Sequence, residues 1–379
     1  MERISIDALQ VGMYVLEVGE GSFDNPSTKI NMSMMFEQEI LAFRQAGIKT
    51  VLIDPERSHV PHAKETAPVT TDFRKSLQEV DQKLAKAVAY SRSMMTDVRM
   101  GKSVNPEEAT PVVNEILDSI FRNESAALFL TKLGNYDDYT YMHCVNVSVL
   151  ASVFGKHLGL KDKDLFNLGL SGLLHDIGKS LIPDEILNKP SKLTKEEMET
   201  MQAHPLKGYK LLKDTSGLHP NVLLGMLQHH EKWTGAGYPL KISGEKINTF
   251  ARILAVVDVY DAMTSNRVYH TKRAETDVLG FLFSHKADFA PGYVERFVKA
   301  VGIYPAGTLV RLSDDRLAVV CNANPEDSLK PYLSVISDRM KVSPACTQFD
   351  TLAEGNPELK IIEVLDQQEH NVDITSLKH

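Results

Sequence analysis

The chain has 379 residues, a hydrophobic fraction of 43%, a charged fraction of 24% and a formal net charge of −8. These values are typical of a soluble globular protein, and the length predicts two or three domains. The acidic balance argues against DNA or RNA as a partner, because broad nucleic-acid binding needs a basic face that releases counterions. An anionic substrate remains compatible, since bound metal ions are often the largest local charges in a site.

Hydropathy and cysteine usage indicate the compartment. The sequence has no apolar run long enough to span a bilayer, and no N-terminal basic segment leads into an apolar stretch. The three widely spaced cysteines, Cys144, Cys321 and Cys346, are not expected to form a disulfide framework and suit a reducing compartment. We therefore expect a cytoplasmic protein with no membrane partner.

Residues 1–65 are predicted to form a small α+β module. Short apolar strands are expected at 11–15 and 50–54, and a helix is expected at 36–46, ending at Gly47. A regulatory or docking role and a purely structural role both fit such a module.

Residues 66–110 are predicted to form a linker and a connecting helix. Prolines among polar residues at 59–71 are typical of a linker. Apolar or small side chains at a spacing of three to four residues then predict an amphipathic helix over 73–100. This spacing favours core packing, and a contact in a homodimer is the alternative.

Residues 111–302 have an almost entirely helical pattern. A helix is predicted to start at Pro111, since proline lacks an N–H group and the first helical turn does not need it. Thr194 and Glu197 have the spacing of a capping box, which predicts the start of a later helix.

Residues 303–379 are predicted to form a small β-rich appendage. Two apolar stretches, 309–312 and 317–320, flank a polar turn and predict a hairpin. The chain is thus expected to have a helical centre between two smaller modules.

The adjacent pair His175-Asp176, followed by Ile177, Gly178 and Lys179, is the central motif of the helical region. Such a pair can give an imidazole and a carboxylate to metal, and the carboxylate can bridge two ions. A lone His-Asp pair is more often a surface hydrogen bond, so further candidate ligands decide the interpretation. These are His143, His204, His229, His230 and Asp258.

This ordered set resembles the HD superfamily of metal-dependent phosphohydrolases. The segment 229–239, His-His-Glu-Lys-Trp-Thr-Gly-Ala-Gly-Tyr-Pro, resembles the signature of its HD-GYP branch, whose members hydrolyse cyclic dinucleotides. The similarity extends over roughly 137–304 and includes His204-Pro205 with Gly208, 258–262 and 265–269. Residues 1–65 resemble the small domain that often precedes HD-GYP domains in bacteria.

The resemblance implies a mainly α fold, with an HD-type helical domain between a small α+β N-terminal domain and a small β-rich C-terminal appendage. It implies metal binding by His143, His175, Asp176, His204, His229, His230 and Asp258. Five imidazoles and two carboxylates are too many for one six-coordinate ion with open positions, so we expect two divalent ions bridged by Asp176. Mixed ligation suits iron, manganese or zinc, and the resemblance favours iron or manganese.

A third metal is found in some family members, held by an acidic residue one helical turn before the first histidine. This chain has Tyr139 at that position, so we expect two ions. The nearby Asp137 and Asp138 leave a third site open. Asp261 is expected to be a structural partner of neighbouring helices and not a ligand.

The expected chemistry is attack on phosphorus by a hydroxide that two metal ions generate and align. Asp176 and Lys179 are the predicted catalytic residues, and Lys179 contacts the phosphate or assists the departing 3′-oxygen. The resemblance assigns Arg267 to the second phosphate or its base. His270 and Lys272 are alternative substrate-binding residues for the same task.

Gly235, Gly237, Tyr238 and Pro239 are predicted to form a loop at the mouth of the site, where Tyr238 contacts substrate. Family members usually carry an aspartate where this chain has Thr234, which puts the hydrogen bonding inside the loop in question. The resemblance also implies a diguanylate cyclase or other signalling protein as a partner, through this loop or the N-terminal domain.

The leading hypothesis is a phosphodiesterase that linearises cyclic di-GMP to pGpG, with GMP as a further product. No residue that reads the base can be named, so 3′,3′-cyclic GMP-AMP is an alternative substrate. A catalytically weak cyclic-dinucleotide receptor or scaffold is the alternative from another class. Catalysis is favoured because all seven ligand positions of the pattern are kept.

Overall fold

In the computed structural model the described residues are 1–9, 13–19, 28–33, 40, 43–44, 46–55, 73–132, 139–265, 273–324, 327–336, 347–348, 358–366, 370 and 372. The chain divides into two compact units, Met1–Pro68 and Val69–His379. The fold is mainly helical with small antiparallel sheets towards both ends, which confirms the predicted fold class. Within the described residues, no helix combines the length and the apolar composition needed to cross a membrane.

The first unit contains a four-stranded antiparallel sheet. Its strands are Glu2–Ser5 (β1), Tyr14–Val18 (β2), Thr28–Ser33 (β3) and Thr50–Asp54 (β4), arranged in the order β1-β4-β2-β3. Val51 and Ile53 alternate along β4 and are buried together with Val15 of β2. The predicted strand 50–54 is therefore confirmed, whereas the helix predicted at 36–46 lies largely outside the described residues.

The second unit begins with a long run of helices. They are Phe73–Arg99 (α1), Ala109–Leu130 (α2), Tyr139–His157 (α3), Asp162–Leu174 (α4), Asp184–Leu187 (α5), Lys195–Met201 (α6), His204–Leu212 (α7), Pro220–Gln228 (α8), Thr249–Thr264 (α9), Glu275–Ser284 (α10) and Tyr293–Val301 (α11). Helix α1 confirms the amphipathic helix predicted from 73, and its buried Leu77 and Leu84 belong to the main core. The predicted capping box at the start of α6 is present, with Thr194 and Glu197 bonding reciprocally.

Helices α3 and α4 pack with their backbones in close approach. A Cβ atom at Gly172 of α4 would lie 2.9 Å from Ser148 Cα and 3.0 Å from Ser148 N in α3. Only glycine permits this distance, because the obstructing atoms are backbone that cannot rotate away. The close approach brings the C-terminal end of α4, where His175 follows, next to the N-terminal half of α3, where His143 lies.

A five-stranded antiparallel sheet follows the helices. Its strands are Leu309–Leu312 (β5), Leu317–Asn322 (β6), Tyr332–Val335 (β7), Thr347–Gln348 (β8) and Ile361–Leu365 (β9), in the order β8-β7-β6-β5-β9. Strands β5 and β6 form the predicted hairpin, with Leu309 opposite Val319. These two residues join the helical core, whereas Val310 and Leu312 belong to a separate apolar cluster. The sheet therefore covers the helices with one face.

Two of the cysteines have different states in the fold. Cys144 is a buried free thiol in α3. Cys321 in β6 is disulfide-bonded, and one such bond does not amount to a disulfide framework.

Candidate metal centre

The seven predicted ligands converge in the second unit, and we call them the His-Asp cluster. Helix α3 contributes one of them, the end of α4 two, the start of α7 one, the end of α8 two and α9 one. In that order they are His143, His175, Asp176, His204, His229, His230 and Asp258. All except His230 are buried, and the side chain of His230 is 23% exposed.

Backbone carbonyl groups orient three of the histidine rings in the same way. The Nδ1 atoms of His175, His204 and His229 lie 2.7, 2.9 and 2.7 Å from the carbonyl oxygens of Gly172, Met201 and Met226. A carbonyl oxygen only accepts, so each Nδ1 carries the proton and donates. Each Nε2 is left with a lone pair directed into the cluster, as a metal ligand requires.

Asp261 orients His143, the fourth ring. His143 Nδ1 lies 2.7 Å from Asp261 Oδ2, and Asn146 Nδ2 donates to Asp261 Oδ1 at 2.9 Å and to the Thr131 carbonyl. His143 Nε2 then faces Asp258 Oδ1 at 3.0 Å. Asp261 is therefore a partner of the first histidine. The spacing from Asp258, three residues along one helix face, is the signal in the sequence for this role.

Asp176 lies at the centre of the cluster, and its two oxygens face different histidines. Oδ1 is 3.1 Å from His204 Nε2 and 4.0 Å from His229 Nε2. Oδ2 is 3.3 Å from His175 Nε2 and 3.6 Å from His143 Nε2. Because each oxygen faces its own pair of histidines, the carboxylate has the arrangement of a ligand that bridges two metal ions.

His229 and His230 point into the same cluster although they are adjacent in sequence. Helix α8 ends at Gln228 and His229 is its C-cap, so the helical period no longer separates the two rings. Their ring centroids are 4.0 Å apart, and His230 Nδ1 lies 3.6 Å from Asp258 Oδ2. The chain thus leaves the helix at these residues, ahead of the loop predicted from Gly235.

Burial and neighbouring ionisable groups shift the pKa values of residues in the cluster. Burial disfavours ionisation of Asp176, yet interactions with the adjacent His175 ring and with the Lys179 ammonium group hold the pKa of this carboxyl well below its ordinary value. Burial likewise opposes charge on His143, but hydrogen bonds with Asp258 and Asp261 raise its pKa to about 9. Burial lowers the pKa of His230 to about 3, so its ring is neutral near pH 7, the form that binds metal.

The donor set fits divalent metal ions. His204 Nε2 and His229 Nε2 lie only 3.3 Å apart, although both rings already use Nδ1 to donate to the backbone. The buried Nε2 of His175 makes no hydrogen bond with any residue in the described part of the chain. Converging lone pairs beside two ionised carboxylates need a cation, and imidazole with carboxylate is a common ligand set for transition metals.

Cys144 also lies within reach of His175 and Asp176. Burial raises the pKa of its thiol, with a smaller contribution from the charge of Asp176. The protonated thiol is not a metal ligand in that form, and Cys144 packs in the core beside the cluster.

The predicted catalytic lysine contacts the central aspartate. Lys179 Nζ donates to Asp176 Oδ2 at 2.5 Å, and its side chain is 22% exposed. The ring of Tyr238 lies over that of His230, with centroids 4.7 Å apart and planes inclined by 33°. Arg267, His270 and Lys272 lie outside the described residues, so their predicted contacts with substrate stay predictions.

The loop after His230 is anchored by a residue for which the sequence predicts no role. Asp288 accepts hydrogen bonds from Lys232 Nζ at 2.8 Å and from Thr234 Oγ1 at 3.3 Å, and its carbonyl accepts from Trp233 N at 2.7 Å. Asp288 thus supplies a carboxylate beside Thr234, the position where family members usually carry an aspartate. It is 54 residues away in sequence, and no local pattern reveals the pairing.

Comparison with protein families and curated proteins gives matches along the chain. An HD domain matches residues 119–289, and a domain of unknown function, DUF3391, matches residues 1–109. The chain is 37% identical over 360 residues to the cyclic di-GMP phosphodiesterase PA4108 of Pseudomonas aeruginosa, which covers 90% of this chain and 87% of that relative.

Shorter matches include relatives with two different substrate names. The cyclic di-GMP phosphodiesterase response regulator RpfG of Xanthomonas campestris pv. campestris is 37% identical over 155 residues, covering 40% of this chain and 41% of the relative. The 3′3′-cGAMP-specific phosphodiesterase 1 of Vibrio cholerae is 35% identical over 144 residues, covering 38% of this chain and 33% of the relative.

Proposed function

We infer that this chain, which belongs to the HD-GYP family of HD-domain phosphodiesterases, hydrolyses cyclic di-GMP to the linear dinucleotide pGpG in a metal-dependent reaction. The match to PA4108, which extends over 90% of the chain, supports this substrate. The observation that carries the reaction is Asp176, whose two oxygens face two different sets of histidines.

The seven residues of the His-Asp cluster hold two divalent ions in this proposal, with iron or manganese as the metal. His204, His229 and His230 form one ligand set, His143, His175 and Asp258 form the other, and Asp176 lies between them. When bound, such ions acidify a water molecule and neutralise the charge that develops on the phosphate. The ligand chemistry supports this assignment, because imidazole and carboxylate ligands suit both metals.

Lys179 is the residue that handles the leaving group. A water molecule attacks phosphorus and releases one proton to solvent as the new O–P bond forms. The bond from phosphorus to the 3′-oxygen breaks, and that oxygen must receive a proton. The ammonium group of Lys179, held at Asp176 Oδ2 and partly exposed, is positioned to donate it. Tyr238 covers His230 and limits the access of bulk water, and Arg267, His270 and Lys272 contact the distal part of the dinucleotide.

Product analysis tests the proposed reaction. The metal-loaded protein is incubated separately with cyclic di-GMP and 3′,3′-cyclic GMP-AMP, beside a His175→Ala/Asp176→Ala variant whose fold is checked by circular dichroism. We expect linear product from cyclic di-GMP with the wild type and none with the variant. Turnover of neither dinucleotide by protein with bound metal would contradict the proposal and favour the receptor.

The same experiment decides between the two substrates. The match to a relative named as specific for 3′3′-cGAMP supports cyclic GMP-AMP as the second candidate. A higher kcat/KM for cyclic GMP-AMP than for cyclic di-GMP would make cyclic GMP-AMP the preferred substrate. The proposed metal-dependent hydrolysis would stay the same.

A further inference from the structure

We propose that Glu231 is a positioning residue of this phosphodiesterase, whose buried carboxylate holds the Gly-Tyr-Pro loop (residues 231–241) in the shape that keeps Tyr238 on His230. The inference rests on the proposed function for its effect on turnover. Its structural part, the attachment of the loop to Glu231, can be tested separately.

Glu231 connects the two ends of the Gly-Tyr-Pro loop. It follows the two ligands His229 and His230 directly and is only 3% exposed. Its Oε1 atom accepts hydrogen bonds from Leu240 N at 2.5 Å and Lys241 N at 3.1 Å. A carboxylate that accepts two backbone N–H groups forms charge-assisted bonds, which are stronger than bonds between neutral groups.

The middle of the loop folds back on the same short segment. Tyr238 N donates to the His230 carbonyl at 3.2 Å. A Cβ atom at Gly237 would lie 2.4 Å from Lys232 N and 2.5 Å from Glu231 Cα, so the loop backbone packs directly on the backbone after the ligands. The loop shape is therefore coupled to the residues that present His229 and His230.

Tyr238 is the side chain through which the loop reaches the cluster. Its ring covers His230, the ligand whose side chain remains 23% exposed. Releasing Leu240 and Lys241 frees the chain two residues after Tyr238, so the ring loses its fixed position. The expected result is a less ordered His230 and a less complete wall at the mouth of the site.

Two variants of Glu231 can distinguish a positioning role from a role in proton transfer. Its Oε1 atom already accepts two backbone hydrogen bonds, and its buried Oε2 atom has no hydrogen-bond partner within the described residues. Glutamine keeps an oxygen acceptor of the same size but carries no negative charge. Alanine removes the acceptor altogether, so the pair of variants distinguishes the two roles.

The chain provides its own probe of the loop, because Trp233 is its only tryptophan. The ring packs under the guanidinium of Arg252, 5.1 Å from the ring centroid, and Trp233 O accepts from Gly244 N at 3.0 Å. Quenching of its fluorescence by acrylamide therefore reports how firmly the loop is packed, with or without turnover.

The experiment compares Glu231→Gln and Glu231→Ala with the wild type and with Glu124→Ala. Glu124 is a matched control, since its carboxylate accepts hydrogen bonds from Lys156 and His157 of α3, and neither residue belongs to the loop. Each protein is loaded with manganese, and metal content, acrylamide quenching, kcat and KM for cyclic di-GMP are measured. Circular dichroism verifies that every variant is folded.

We expect Glu231→Ala to show increased quenching of Trp233 and a loss of about 10- to 100-fold in kcat/KM, as for residues that orient metal ligands. Glu231→Gln should retain the quenching and most of the activity of the wild type. Glu124→Ala should leave the quenching unchanged.

Two results would overturn the proposal. Unchanged quenching in Glu231→Ala would mean that the carboxylate does not hold the loop. An inactive Glu231→Gln with the quenching of the wild type would mean that the charge takes part in the chemistry. An inactive wild type would contradict the proposed function, while the quenching would still decide whether Glu231 holds the loop.

Discussion

When His143 is neutral, as metal binding requires, Asp261 determines which ring nitrogen carries the remaining proton. Its Oδ2 accepts from His143 Nδ1, and its Oδ1 accepts from Asn146, so both oxygens are engaged as acceptors. The proton is thereby held on Nδ1, and Nε2 is directed to Asp258. An aspartate behind a histidine in this way fixes the tautomer and the ring orientation that metal binding needs.

Asp261→Asn should weaken metal binding by about 10- to 100-fold, because a donating amide opposite Nδ1 favours the wrong tautomer. Flipping the amide does not help, since it places two NH2 groups, those of residue 261 and Asn146, against each other. The measurement is metal retention during titration with a chelator. Asp277→Asn, an exposed change on α10, serves as the control. Equal retention in the two variants would contradict the tautomer argument.

The sequence reveals the residues of the His-Asp cluster but not the residues that position them. Some of these residues are recognisable because they are adjacent in sequence and begin short motifs. They are His175 with Asp176, and His229 with His230. Asp288 comes from a distant segment and bonds the loop through contacts that only the fold creates. A contact between segments that are distant in sequence produces no periodic pattern of residues. The hydrogen bonding near Thr234 was therefore not predictable.

At the scale of elements, a backbone contact determines how the His-Asp motif meets α7. Residues Ile177–Leu181 form a 3-10 turn after Asp176. A Cβ atom at Gly178 would lie 2.0 Å from the His204 carbonyl oxygen and 2.6 Å from Gly208 N, both of α7. Since these atoms are backbone, a larger residue must push the whole turn away from the helix that carries His204.

Gly178→Ala should therefore lower the free energy of unfolding by about 1–3 kcal/mol, the usual cost of overpacking a core. Gly280→Ala in α10 is the matched control, because nothing lies within 4 Å of its Cβ position. It should stabilise the protein by about 0.5–1 kcal/mol, since alanine has less conformational freedom to lose than glycine. Urea unfolding of both variants measures the difference in the free energy of unfolding. Equal stabilities would show that the 3-10 turn shifts to accommodate the methyl group at little cost.

Element types were predictable where one face of a segment is buried. The spacing of apolar residues predicted α1, and two apolar stretches on either side of a polar turn predicted β5 and β6. The helix expected at 36–46 lies largely outside the described residues. The contact of Gly178 with α7 was not predictable. The sequence alone does not distinguish a glycine required by a turn from a glycine required by the close packing of two backbone segments.

At the scale of the second unit, the His-Asp cluster ties together helices that are far apart in sequence. Its residues come from α3, α4, α7, α8 and α9 or directly follow them. The ionised Asp176 and Asp258 are buried beside histidines of which His229 and His230 are neutral near pH 7. Bound cations would compensate this negative charge and crosslink the five helices at one point.

Removing metal should therefore destabilise the second unit. A ligand that binds only the folded state stabilises it by about 4 kcal/mol at a thousand times its Kd, which corresponds to roughly 5–10 °C in Tm. Thermal unfolding of the manganese-loaded protein with and without a chelator measures this difference. In the His175→Ala/Asp176→Ala variant the chelator should leave Tm unchanged. An equal decrease in both proteins would mean that the stabilising metal binds outside the His-Asp cluster.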